Sequence, residues 1–298
     1  MNKVQRSYLL LHLSVIFWSF TAILGDLISL SAPVLVWWRV GLTAAILFFW
    51  PNLFHMIKEI DRTVLKKFFL IGILIGIHWV CFYASVKMAN ASIALITMST
   101  TAFFTALIEP AVLRTKLNKV DVIMSLLIIP AMILTTTGFQ SNMMIGFWLG
   151  ILSSIILAYF TVLNRVVIDE APPISVTFIE MTSAWVFLSI CSPIAFIFLE
   201  EFAIAPTAID WVYLMILAAL CTVLPFVLHL IAMKHVSAFT TNLVINLEPI
   251  YGIILAIVIL KEHKELSVQF YLGVVFLVCI VMTYPLLKSH LTVKTPKT

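Results

Sequence analysis

The stretch ASVKMANASIAL (residues 84–95) returns in altered form as IAMKHVSAFTTNL (residues 231–243), with Lys87 matched to Lys234 and Ala91 to Ala238 at an offset of 147 residues. In both copies a long apolar run ends near a lysine, a few residues turn the chain, and a second apolar run follows at once. About 20 apolar residues make a membrane-spanning helix, so each copy reads as two spans joined by a tight turn. A weak duplication of this kind points to a polytopic membrane protein built from two halves.

Composition agrees. The 298 residues are 62% hydrophobic and 11% charged, with a mean hydropathy of +1.13, against roughly half apolar in soluble domains. Ten spans fit, at about 8–26, 33–50, 67–86, 91–113, 119–137, 143–164, 173–198, 210–233, 237–259 and 267–287, leaving no room for a soluble domain. The runs are continuous and lack the two-residue alternation of barrel strands, so the fold is all-α. The first span starts basic but runs to full length without a small-residue cleavage site, and is expected to remain in place. Cys81, Cys191, Cys221 and Cys279 all fall in apolar spans with no metal-binding spacing, and are expected to be free thiols.

A second match sets WSFTAILGDL (18–27) against AYFTVLNRVV (158–167) and SAPVLVWWRV (31–40) against APPISVTFIE (171–180), pairing Pro33 with Pro173. Each half then holds five spans: residues 1–138, and 143–288 before a short tail at 289–298. Five is odd, so the second half enters the membrane from the opposite face and the repeats are inverted. With the N-terminus inside, fourteen Lys and Arg fall on the cytoplasmic side and three (Lys87, Lys261, Lys264) on the other, while Arg39 lies within a span. Both termini are therefore expected in the cytoplasm. The net charge of +4 reflects this bias, and no basic stripe interleaved with aromatics suggests nucleic acid as a partner.

Polar groups inside such spans mark pathways, pairings or switches. Glu248, before Pro249, lies near the middle of the ninth span. Neither lipid contact nor an isolated charge is tolerable there, so it faces the bundle interior, either lining a wet cavity or held neutral by neighbouring helices. Asn242 and Asn246 share a face with Pro249 and serve a cavity or interhelical hydrogen bonding. Thr97, Thr101, Thr105 and Glu109 form a stripe on the fourth span; the threonines bond back to their own helix or face a site, and Glu109 is expected in a structural pairing near Arg114. Arg39 either snorkels or caps carbonyls, or binds an anionic group. Glu180, at the neighbouring position of the other repeat, is too far away to bridge it.

His78, with Trp79 and Tyr83, and His229, with Thr222 and Pro225, are either plain hydrogen-bonded histidines or parts of a proton relay with Glu248. Trp18, Trp38, Trp79 and Tyr159 are candidate pocket walls, and Tyr251 completes the candidate set. Gly72 with Gly76, and Gly146 with Gly150, read as close helix contacts.

The five-plus-five plan, FWSFTAILGDL (17–27), PVLVWWRVGL (33–42) with Arg39, the turn VKMANAS (86–92), and the run from CTVLPFVLHL (221–230) through NLEPIYGIILAIVIL (246–260) to FYLGVVFLVCIVM (270–282) resemble the EamA-type members of the drug/metabolite transporter superfamily over nearly the whole chain. The resemblance implies a secondary transporter of small metabolites such as amino acids, commonly an exporter, in a bacterial inner membrane. It also implies a central site from spans one to four and six to nine, with five and ten peripheral. No nucleotide-binding loop, hydrolase motif or cofactor fingerprint occurs, so gradients are the expected energy source, with protons the candidate coupling ion at Glu248. No cofactor and no enzyme activity are expected. Partners are a small-molecule substrate and the lipid bilayer, and the chain acts as a monomer or homodimer. The rival reading is an intramembrane enzyme or lipid-handling protein using His78, His229 and Glu248 as acid and base.

Overall fold

A computed structural model describes residues 2–118, 122–123, 126–127, 130–131, 133–134, 143–198, 204–261 and 267–292. Among these the chain is helical and contains no strand. The first half holds α1 (Lys3–Leu27), α2 (Ala32–Phe48), a short connector α3 (Leu53–Lys58), α4 (Arg62–Met88), α5 (Ala91–Met98) and α6 (Thr101–Leu113). The second holds α7 (Met144–Val167), α8 (Pro173–Phe198), α9 (Ala208–Ala218), α10 (Leu224–Met233), α11 (Ala238–Ile245), α12 (Glu248–Leu255) and α13 (Val268–Thr292). Seven helical stretches have the length and apolarity of a membrane span, and the shorter Ala32–Phe48 and Val268–Ile280 are apolar as well. The expected span at 119–137 lies largely outside the described residues.

Local chemistry sets the helix starts. Asn2 and Gln5 form a reciprocal capping box at α1, Asp61 caps α4, and Thr207 with Asp210 forms a second box at α9, each satisfying N–H groups that the first turn leaves free. Asn90 accepts from the N–H of Ile93, and Ser237 accepts from the N–H of Thr240. These two caps are related by the repeat offset of 147, as are the bounds of α5 and α11 that follow them.

The fourth and ninth spans are expected as single helices, and both are instead kinked at the same place in the repeat. Thr100 N–H bonds Thr97 O at 3.1 Å, and Leu247 N–H bonds Val244 O at 3.0 Å, one residue short of α-helical spacing. The causes differ. In the ninth span Pro249 has no N–H to offer Ile245. In the fourth, Thr97, Thr100 and Thr105 donate to Ala94 O, Thr97 O and Thr101 O, each at 2.7 Å, and such back-bonding bends helices.

α5 packs on α12 and α6 on α11, so the two kinked spans run antiparallel. Asn242 Nδ2 donates to Thr105 Oγ1 at 2.7 Å, and Gly252 meets the Leu95 side chain. These contacts fix one register: ten residues forward on the first span are ten back on the second. Thr101 then lies level with Asn246, Ser99 with Glu248, and Thr100 with Leu247. The repeat offset carries Thr100 onto Leu247, so at the kink a residue faces its own repeat equivalent.

Around this crossing α4 packs along α7 while α1 packs along α10, and α2 packs on α8. Glycines permit the closest approaches. A Cβ on Gly72 would lie 2.7 Å from Glu180 Cα and collide with Glu180 O and Ser183 Oγ, while one on Gly76 would meet Ala184 Cβ at 3.3 Å. Gly146 abuts Ala89 and Gly150 abuts Thr97, so both glycine pairs are helix contacts as the sequence suggests. Glu109 accepts from the N–H of Ala238 at 3.1 Å and of Phe239 at 2.9 Å. Its structural role is to cap α11, a partner the sequence reading did not foresee.

Candidate functional site

Side chains from α1, α2, α4, α5, α7, α10, α11 and α12 converge on one chamber lined by Trp18, Thr21, Arg39, His78, Trp79, Phe82, Met98, Leu157, Phe160, Phe226, His229, Ile245 and Glu248. The space open to the centres of water-sized molecules is ≈ 60 Å³, room for a handful of waters at about 10–15 Å³ each. Residues of α8 do not line it, whereas the family resemblance implies a contribution from that span.

Arg39 neither snorkels nor reaches lipid; it is 1% exposed. Its Nε donates to Thr222 Oγ1 at 2.9 Å, one terminal nitrogen to Tyr83 Oη at 2.8 Å, and the other to Cys221 O at 3.4 Å. The guanidinium lies 3.8 Å from the centroid of the Trp79 ring, a cation–π contact. Two of these partners come from a π turn at Ala219–Val223 between α9 and α10. There Thr222 Oγ1 donates to Leu217 O, five residues back, at 2.7 Å, and the altered winding presents Cys221 O to the arginine. Such turns interrupt helices where a site needs a carbonyl re-aimed. Every partner of Arg39 is neutral. Among the described residues no carboxylate comes within 4.0 Å of its guanidinium; the two ion pairs present are His55–Glu59 and Arg165–Asp169.

Glu248 opens α12 and faces the same chamber, acting on Arg39 electrostatically across it without contact. The histidines have separate settings. His78 Nδ1 lies 2.9 Å from Ser153 O and 2.7 Å from Ser153 Oγ, and Ser153 Oγ donates to His78 O at 2.8 Å. The serine proton is thus committed to His78 O, so the ring proton belongs on Nδ1 and Nε2 keeps its lone pair. His229 packs edge-on to Trp18, with centroids 5.1 Å apart, and its buried Nδ1 has no hydrogen-bond partner.

The other candidates divide. Tyr83 holds Arg39 and packs over Gly25. Asn242 is bonded to Thr105. Asn246, Thr101 and Ser99 are buried with side-chain polar atoms unpartnered. Glu180 is 0% exposed, has the side chain of Asn164 as its polar neighbour, and is outside the chamber. Tyr159 and Tyr251 are 42% and 40% exposed, on outward faces, which corrects their placement as pocket residues. Trp38 likewise points away, donating to Ile204 O and packing on Trp211. The sequence reading missed Thr21, Phe82 and Phe226 as lining residues. Each lies three or four positions from Trp18, His78 or His229, and that helical spacing was the available signal.

Both ends of the bundle are tied. At one, Lys87 Nζ donates to Asp26 O and Ile28 O, and Asp210 accepts from Ser29 N at 2.8 Å and Ser29 Oγ at 2.6 Å. At the other, Lys234 Nζ donates to Ala171 O at 3.4 Å and Arg165 Nε to Val236 O at 3.1 Å. Lys87 and Lys234, paired by the repeat, do one job: each closes the loop following the first helix of a repeat.

No curated protein matches the chain. A solved crystal structure of a protein shares its fold, with a TM-score of 0.70 at 15% identity over 96% of this chain and 98% of the other. The model of the EamA-like transporter family matches twice in tandem, at residues 5–137 and 144–284. The two matches meet around the chamber and between them cover almost the whole chain, and the protein belongs to the EamA-like transporter family, within the drug/metabolite transporter superfamily.

Proposed function

We propose that the protein is a secondary transporter, working as an exporter in the direction common to the family, that moves small anionic or zwitterionic metabolites through the central chamber. The observation that carries this reading is the unpaired opposition of charges: Arg39 and Glu248 face one small internal space and do not neutralise each other. Two opposite charges held apart beside a wet cavity suit a solute that presents a carboxylate or similar anion to Arg39 and an amine to Glu248. Amino acids and their derivatives have this chemistry.

The antiparallel crossing of the kinked spans and the matched end ties support ten spans arranged as two inverted five-helix units that rock about the chamber. The lysine and arginine bias supports cytoplasmic termini in an inner membrane. A cation that neutralises Glu248, a proton in the sequence reading, lowers the cost of this carboxylate as the chamber dries during the switch. The intramembrane-enzyme reading gains no support from the histidines, since among the described residues neither His78 nor His229 pairs with Glu248, the acid it would need as a partner.

Flux into proteoliposomes against a panel of carboxylates, amines and amino acids tests the proposal. Uptake of zwitterions or anions that is lost in Arg39→Gln is the expected result. Glu248→Gln is expected to flatten the pH dependence of that uptake. Transport of cations alone, or unaltered selectivity in Arg39→Gln, would remove the reading.

A further inference from the structure

We propose that His229 is a specificity-determining residue of the central chamber: a nitrogen of its imidazole bonds a third polar group of the solute, a hydroxyl or an amide on the side chain of a small zwitterion. The two charged ends of that solute rest on the transport reading, in which they meet Arg39 and Glu248, and both of these line the same space as His229. The imidazole is 4% exposed, its Nδ1 is buried without a partner, and among the described residues neither ring nitrogen makes a hydrogen bond. Its protein neighbours are rings, Trp18 edge-on with centroids 5.1 Å apart and Phe226 tilted at 6.2 Å. A neutral imidazole carries one N–H donor and one lone pair. Burying both without partners is costly and uncommon, and calls for a ligand.

The repeat supplies a control for packing. At the offset of 147 residues His229 corresponds to Phe82, Phe226 to Trp79 and Ile245 to Met98, and all six side chains line the chamber. Phe82 is 4% exposed, as His229 is. The scaffold thus fills this slot with a plain ring in one repeat, and packing does not call for ring nitrogens in the other. The second chamber histidine differs, because Ser153 engages Nδ1 of His78 and fixes its ring. Of the two, His229 keeps both nitrogens free of the protein. A handful of waters in the chamber, at about 30 Å³ of liquid each, amounts to a volume on the order of 150 Å³, which suits a compact solute. Around the part of that solute beyond its charged ends, Met98, Phe82, Phe160, Leu157, Phe226 and Ile245 offer apolar surface only. A side-chain hydroxyl or amide placed against His229 is satisfied there, whereas an alkyl group of the same shape covers the imidazole and leaves it unpaired.

The test reads binding before transport. Purified full chain in detergent is titrated with threonine against its isostere valine, and with asparagine against leucine, and affinity is taken from the saturable rise in unfolding temperature. The wild type is expected to bind each polar member about tenfold tighter than its alkyl partner, the discrimination that one added hydrogen bond gives. His229→Phe, which installs the residue found at the equivalent position of the other repeat, is expected to bring that ratio to about one. His229→Asn or His229→Gln, which set an amide near the place of Nδ1 or Nε2, should restore part of it. Should His229→Phe fail to fold, the His229 nitrogen resonances of isotope-labelled wild-type chain, expected to shift with threonine and not with valine, give the same answer. Equal affinities within each pair in the wild type, no binding of any of the four, or a ratio unchanged in His229→Phe would overturn the proposal. Flux of zwitterions into proteoliposomes without discrimination within the pairs would keep the transport reading and remove this role of His229; discriminating binding without flux would do the reverse.

Discussion

Gly25 is outside the chamber, yet it controls the chamber's cation. A Cβ at this position would overlap Cε1 and Cδ1 of Tyr83 and lie 3.6 Å from Cζ. Restoring an ordinary carbon–carbon separation of about 3.5–4.0 Å moves the ring by at least about 1 Å. The Tyr83–Arg39 hydrogen bond, 2.8 Å in this structure, would then stretch to about 3.8 Å and be lost. A hydrogen bond to a charged group contributes about 1.5–3 kcal/mol, so Gly25→Ala is expected to destabilise the protein by that amount. Tyr83→Phe, which deletes the hydroxyl without moving the ring, is expected to match it. The decisive assay is a double-mutant cycle read by reversible unfolding in mixed detergent micelles. In a Tyr83→Ala background the added methyl meets no ring, and Gly25→Ala should cost about 0 kcal/mol, giving an interaction energy of about 1.5–3 kcal/mol. Equal costs of Gly25→Ala in both backgrounds would refute the route through Tyr83.

Other outcomes follow from single contacts. Gly72→Ala drives a methyl into the backbone of Glu180 and is expected to cost about 1–3 kcal/mol; Gly76→Ala, which meets Ala184 Cβ at 3.3 Å, should cost less than half as much in the same unfolding assay. Glu109→Ala removes the cap on α11 and is expected to cost about 0.5–2 kcal/mol, with faster hydrogen exchange confined to the amides of Ala238 and Phe239 and their neighbours. Glu180→Gln replaces a buried acid beside Asn164 with a neutral amide able to donate to the free Asn164 Oδ1, so unfolding at neutral pH should show unchanged or increased stability, while Glu180→Ala should destabilise by about 1–3 kcal/mol.

Most of the fold was legible because the bilayer forces long apolar runs and closed backbone hydrogen bonding on the chain. The duplication was readable at Lys87 and Lys234 because both lysines tie a loop at the end of a repeat hairpin. The kinks at Ser99–Thr100 and Asn246–Leu247 were not, since hydropathy is blind to a ladder shortened by one residue, and only Pro249 gave a local sign. Of the site, Glu248, Arg39, His78, Trp79, His229 and Trp18 stood out as polar or aromatic groups at depth. Tyr159 and Tyr251 did not belong with them: an aromatic within a span carries no mark of whether its face looks inward or to lipid. The π turn that aims Thr222 and Cys221 O at Arg39 was equally hidden, because nothing in ALCTV departs from ordinary helical composition.

The meeting of Thr100 with Leu247 bears on ancestry. Were the halves two copies of one five-helix polypeptide, positions equivalent to Thr101 and Glu248 would carry the same residue. A symmetric pair would then present two acids to one crossing, repelling each other, or none. Joining the units in one chain lifts that constraint, so a single carboxylate lies level with a serine while a threonine lies level with an asparagine, and the two flanks of a symmetric scaffold acquire opposite chemical characters.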